Sequence, residues 1–170
     1  MKKLNTRDLV YIAMYAAIFV VLDRLTDTVN LFKMPNGGKM NLATVALLLS
    51  SYHLGWQKGL ITGGVCCVLM LATGSISFYG IVSLLLDYLL AYMGYGMAGY
   101  FKNYGVFYSG ILITSLFRLL CSTLSGTLVW ETPLWGSFTY NLSYLLPTFI
   151  LDIIAVPLLY KALKPVISRD

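Results

Sequence analysis

Between Leu9 and Leu163 almost every residue belongs to one of six apolar runs, and the polar breaks between them are short except for residues 24–40. A helix needs about 20 apolar residues to cross the hydrocarbon of a bilayer. With short connections, 170 residues hold at most roughly six such helices, which leaves no room for a soluble domain. Charged residues make up only 11% of the chain and hydrophobic ones 58%, with a mean hydropathy of +0.76. A soluble domain carries roughly a quarter charged residues around its core, so this chain cannot build a solvated shell. Disorder is excluded on the same grounds. The expected fold class is all-α integral membrane, with six transmembrane helices in one compact bundle over residues 1–170.

The first run follows a basic start, Lys2, Lys3 and Arg7, and on its own has the look of a secretory leader. No small-residue cleavage site follows Leu22, so the run is read as a span, capped by Thr6 or Asp8 and ending near Asp23. Spans are expected at about 8–23, 41–53, 58–73, 78–101, 105–130 and 138–163. Residues 24–40 form the one long loop, a candidate lid, with Met34-Pro35-Asn36-Gly37-Gly38 as its turn. The second run is too short for a perpendicular span and should lie tilted or buried among its neighbours.

The net charge of +5 has no stripe or cluster behind it, which sets nucleic acid aside as a partner. Basic residues read instead as topology signals. Lys2, Lys3, Arg7, Lys58, Lys102, Lys161, Lys164 and Arg169 fall on one side, and only Arg24, Lys33 and Lys39 on the other. Eight against three places both termini in the cytoplasm and the 24–40 loop outside. Tyr79, Trp130 and Trp135 then lie near the outer boundary. Cys66, Cys67 and Cys121 sit in apolar runs and read as packing residues, without a disulfide or metal. No metal or cofactor site is expected.

Three ionisable residues fall inside spans: Asp87, Arg118 and Asp152. Each is costly in hydrocarbon and should face the bundle interior. At about 1.5 Å per residue, Asp87 and Ser122 both lie roughly 12 Å below the outer boundary, with Arg118 one turn deeper. Asn141 is shallower, flanked by Tyr140 and Tyr144, and Tyr88 follows Asp87. Carboxylate, hydroxyl, amide and tyrosines converging under the long loop describe a small-molecule pocket open to the outside. Arg118 and Asp152 read more simply as a buried charge pair. Small residues recur at packing spacing, as Ala13/Ala17, Gly59/Gly63, Gly96/Gly99 and Ser122/Gly126. The pairs suit packing within the bundle; Ala13 and Ala17, widened by Ala16, also suit docking of a separate membrane protein. No phosphate-cradling loop occurs, since Gly37-Gly38-Lys39-Met40 lacks both the upstream glycine and the Ser/Thr.

Taken in order, several stretches carry a resemblance. They are Pro35-Asn36-Gly37-Gly38; Leu54-Gly55-Trp56-Gln57-Lys58-Gly59-Leu60-Ile61-Thr62-Gly63; Leu85-Leu86-Asp87-Tyr88 with Ala91 and Gly94; Arg118 with Ser125-Gly126; and Tyr140-Asn141-Leu142-Ser143-Tyr144 with Pro147. From about Ala13 to Leu163 the chain resembles the substrate-binding S components of energy-coupling factor (ECF) vitamin transporters, of the thiamine-transporter type. Ala13 and Ala17 match the family's alanine motif, which contacts the transmembrane coupling subunit.

The resemblance implies a bacterial, multi-pass plasma-membrane protein that captures a vitamin from outside and docks onto a coupling subunit bound to two ATPase subunits. It implies a transporter subunit and not an enzyme, with ATP hydrolysis left to the partners. Asp87, Tyr88, Ser122, Trp130, Asn141 and Tyr144 would contact substrate. The chain departs from the thiamine pattern in carrying Asp87 for a glutamate, Ser122 for a histidine, and Gly136 and Ser77 for tyrosines. Lost rings remove stacking area, which points toward a smaller ligand such as hydroxymethylpyrimidine or pyridoxine, with thiamine retained. A self-sufficient carrier and a membrane-embedded enzyme are the alternatives.

Overall fold

The computed structural model describes residues 4–30, 32–34, 37–105 and 107–167. Lys2, Lys3 and Arg169 of the charge count, and Pro35 and Asn36 of the turn, lie outside the described residues. Six helices follow one another: α1 Thr6–Val29, α2 Thr44–Leu54, α3 Trp56–Thr73, α4 Ile81–Tyr100, α5 Ser109–Val129 and α6 Leu134–Ile167. All but α2 are long and apolar enough to cross a membrane. At 11 residues, or about 16 Å, α2 is well short of the bilayer core. Its residues from Thr44 to Ser51 are all buried, as expected of a helix apolar on every side. It packs against α1, α3, α4 and α6 and forms the centre of the bundle.

Three expected boundaries are corrected. Asn5, not Thr6 or Asp8, caps α1: its side chain accepts from the Thr6 amide at 2.8 Å, and Asp8 accepts from the Asn5 amide at 3.1 Å in a capping box. The helix also runs past Asp23 to Val29 and closes on left-handed Asn30. Polar residues do not break it there because Asp23 and Thr26 turn inward, and the Thr26 hydroxyl donates to Leu22 O at 2.7 Å. The fifth helix starts at Ser109 and not at 105, because the chain before it forms a small antiparallel hairpin, β1 Asn103–Tyr104 with β2 Phe107–Tyr108, turned at Gly105 with φ +62°.

Close helix approach rests on small residues. A Cβ on Gly63 would lie 2.7 Å from the Tyr92 carbonyl oxygen of α4, and one on Gly59 would lie 2.9 Å from the Ser51 Cα of α2. Gly96 of α4 faces the Gly59 backbone in return. At Gly55 the chain turns from α2 into α3 in a single residue, with φ +86°, a conformation glycine adopts without strain. At this end the Lys58 ammonium meets Asp8 at 2.6 Å, and at the other Arg24 donates to the Thr73 carbonyl, which fixes α1 along α3.

The outer surface of α1 is a belt of exposed apolar side chains, including Leu9, Val10, Met14, Ile18, Val21 and Leu25. Apolar surface on this scale suits lipid rather than water. Ala13 and Ala17 lie on that face, one turn apart. Ala16 does not widen it. Only 1% exposed, it packs in the core with Tyr15 and Phe19, because neighbouring helical residues point about 100° apart.

Candidate ligand-binding cavity

α4 is not a uniform helix: after one α-turn, Leu84–Leu90 forms a π-helical segment that returns to α-helix at Ala91. Such segments are rare and frequent at functional sites. Asp87 and Tyr88 sit in it, on the wall of a cavity of about 530 Å³. The cavity opens at the end of the bundle carrying the loop after α1. Within it, α4 contributes Asp87, Tyr88 and Tyr92, α5 contributes Arg118 and Ser122, and α6 contributes Tyr140, Asn141 and Tyr144, with Trp130 at the rim.

One oxygen of Asp87, Oδ2, accepts from Ser83 Oγ at 3.0 Å and from the Ser125 hydroxyl. These bonds aim the carboxylate while leaving acceptor capacity on a group that can take four bonds. Tyr88 accepts from the Ser77 amide at 3.1 Å, tying the α3–α4 connection to the wall. Trp130 is 43% exposed and meets Tyr79 edge-on at 4.4 Å between centroids. Asn141 lines the cavity with its amide already engaged. Its Nδ2 donates to Ser137 O at 2.8 Å and Ser122 O at 3.2 Å, and its Oδ1 accepts from the Tyr144 hydroxyl at 2.6 Å. Asn141 thereby holds α5, α6 and Tyr144 in register. The expected ligand-contact residues are thus brought together in one cavity, with both amide donors of Asn141 directed at the protein.

The expected pair of Arg118 and Asp152 is not formed. No nitrogen of Arg118 lies within ion-pair distance of Asp152 among the described residues. The guanidinium carbon instead lies 5.0 Å from the ring centroid of Tyr92 and 5.6 Å from that of Tyr95, a cation–π arrangement. Asp152 faces α2, where its Oδ1 accepts from Thr44 Oγ1 at 2.9 Å, and it does not reach the cavity. Depth along a helix says nothing of direction around it.

Sequence reasoning missed the clamp that seats the loop. Lys39 Nζ lies 2.9 Å from Asp23 and 2.6 Å from Asp27, next to Asn41, whose Nδ2 donates to the Tyr92 hydroxyl at 3.0 Å. The sequence presents Lys39 as a topology signal and within a rejected phosphate-loop pattern, and not as a partner of α1. Two aspartates four residues apart, on one helical face, were the available clue. The Gly38 amide donates to the Tyr140 hydroxyl at 3.2 Å, and a Cβ at Gly38 would fall 2.6 Å from the Tyr144 ring. The loop therefore lies directly on the cavity tyrosines. No cluster of three His, Cys, Asp or Glu suited to a metal occurs among the described residues.

Comparison with known proteins agrees with this architecture. The family model described as thiamine transporter protein matches residues 9–168. The thiamine transporter ThiT of Bacillus subtilis (strain 168) is 30% identical over 183 aligned positions, covering 95% of this chain and 94% of that protein. With its apolar helices and lipid-suited surface, the chain is a multi-pass plasma-membrane protein, a transporter rather than an enzyme, and belongs to the thiamine transporter protein family.

Proposed function

We propose that this protein is the substrate-binding S component of an ECF transporter and that it captures thiamine from outside the cell. Asp87 carries this reading, as a carboxylate in the wall of a tyrosine-rich cavity beneath a docked loop. Thiamine joins a permanently cationic ring to an aminopyrimidine, and a carboxylate among aromatic rings suits both. The cavity, at about 530 Å³, lies within the roughly 300–1,000 Å³ typical of small-molecule sites. Asp87, Ser122 and Gly136, shorter than the family's usual residues, enlarge the space, which favours the two-ring vitamin. The loss of stacking rings favours hydroxymethylpyrimidine or pyridoxine as the competing reading.

Both termini lie in the cytoplasm in this reading, with α2 counted as the sixth, centrally buried span. Ala13 and Ala17 dock α1 onto the transmembrane coupling subunit, and two ATPase subunits supply the energy. The chain has no motor of its own.

Titrating the purified protein with thiamine, hydroxymethylpyrimidine and pyridoxine, read by tryptophan fluorescence, tests the ligand. Thiamine should bind tightest, and a response only to a single-ring compound would replace it. Liposomes holding the protein alone should show no continuous uptake. Rapid accumulation without partners would establish a self-sufficient carrier instead.

A further inference from the structure

The loop after α1 has two sides. Lys33 and Lys39 line the ligand cavity, while their chain neighbours Phe32 and Met40 line a second hollow of about 370 Å³ on a different flank of α6. The α6 wall of this hollow is Ser143, Leu146, Pro147 and Ile150, one face at helical spacing. The Ser143 hydroxyl donates back to the Tyr140 carbonyl at 2.7 Å, so the wall offers no free hydroxyl or charge. Sites for water-soluble small molecules carry converging polar groups, and here there are none. Leu146 and Ile150 are about half exposed, and the same face continues along α6 through Ile154 and Leu158, 58% and 65% exposed, as part of the lipid-suited surface. From Ser143 to Ile150 the wall is about 10 Å long, within the roughly 15 Å of hydrocarbon in one leaflet. Phe32 stands over it with φ +45°, a conformation rare for an aromatic residue, and at 67% exposure the protein leaves most of it uncovered.

We propose that an acyl chain of a bilayer phospholipid occupies this hollow, between the loop and α6, and favours the docked position of the loop. The lipid-facing stripe of α6 runs into the hollow, so the chain enters it from the bilayer without crossing water. With the chain in place, Phe32 and Met40 rest in apolar surroundings while the Gly38 amide bonds to Tyr140 on the cavity side. Lifting the loop would carry both side chains off the lipid. The site goes beyond the vitamin reading and does not depend on it.

The full chain in vesicles of phosphatidylethanolamine and phosphatidylglycerol, doped with a phospholipid bearing a photoreactive diazirine in its acyl chain, tests this without added vitamin. Mass spectrometry should find Phe32 and Met40 labelled. Ile150→Trp, which fills the hollow, should cut that labelling about fivefold or more, because a filled hollow leaves no room for the chain. Val10 and Val21, exposed on α1, should be labelled as before. Leu146→Trp carries the test if the first variant does not fold. Labelling confined to the helices, loop labelling that filling the hollow leaves unchanged, or crosslinks between two copies through the hollow would overturn the site. Phe32→Ser with Met40→Ser strips the loop of its apolar side and should speed hydrogen exchange of the Gly38 amide about threefold or more in the same vesicles. Unchanged exchange would overturn the hold of the lipid on the loop.

Discussion

Asp87 and Asp152 are both aspartates in the middle of apolar helices, and the bundle uses them in opposite ways. Asp87 is half-buried, with serine hydroxyls on one oxygen and the cavity before it. Asp152 is fully enclosed, bonded to Thr44 through one oxygen while the other, Oδ2, has no partner. The two side chains are chemically the same, and the neighbours each one faces make the difference. An intramembrane carboxylate points to a ligand only when an open cavity lies in front of it.

Disturbing the frame around the cavity should have the largest effect. Lys39→Met leaves Asp23 buried without its cation, and breaking such a pair costs about 3 kcal/mol. The variant should melt markedly lower in a thermal denaturation assay, and an unchanged melting temperature would mean that the clamp contributes nothing. Next comes Asp87→Asn, expected to weaken thiamine at least about tenfold, or ~1.4 kcal/mol, without lowering the melting temperature. Unchanged affinity would put Asp87 in the same class as Asp152 and erase the comparison. Asp152→Asn keeps the shape of a side chain that does not reach the cavity, so thiamine affinity should stay within about twofold in the same titration. A large loss would show that the sealed interior is coupled to the site. Finally, Ala13→Trp with Ala17→Trp should leave binding unchanged while abolishing co-purification with the coupling subunit. Intact co-purification would remove the docking role from α1.

The apolar runs made the helices legible, because hydrophobic length is a direct physical requirement of a bilayer. The end of α1 was not legible, since Asp23, Thr26 and Asp27 look like a loop until Lys39 and Leu42 are seen to supply their partners. The residues gathered around Asp87 could be found by counting turns, which gives level. Counting could not find that Ala16 faces inward, that Arg118 lies over Tyr92 and Tyr95 instead of pairing with Asp152, or that the Asn141 amide is engaged. Those facts depend on which neighbours a helix faces, and neighbours are set by tertiary packing.

The π-helical turn at Leu84–Leu90 makes the position of the binding charge a matter of helical phase. Deleting one residue there would close α4 as a regular helix with its two flanks close to their present phase, because the wider turn already absorbs the extra residue. The residues within the segment, Asp87 among them, would rotate instead, while the packing of Tyr92, Gly94 and Gly96 against α3 and α5 is kept. Conversely, related chains can retune which chemistry faces the ligand by gaining or losing a single residue in this stretch, with every helix and loop otherwise kept.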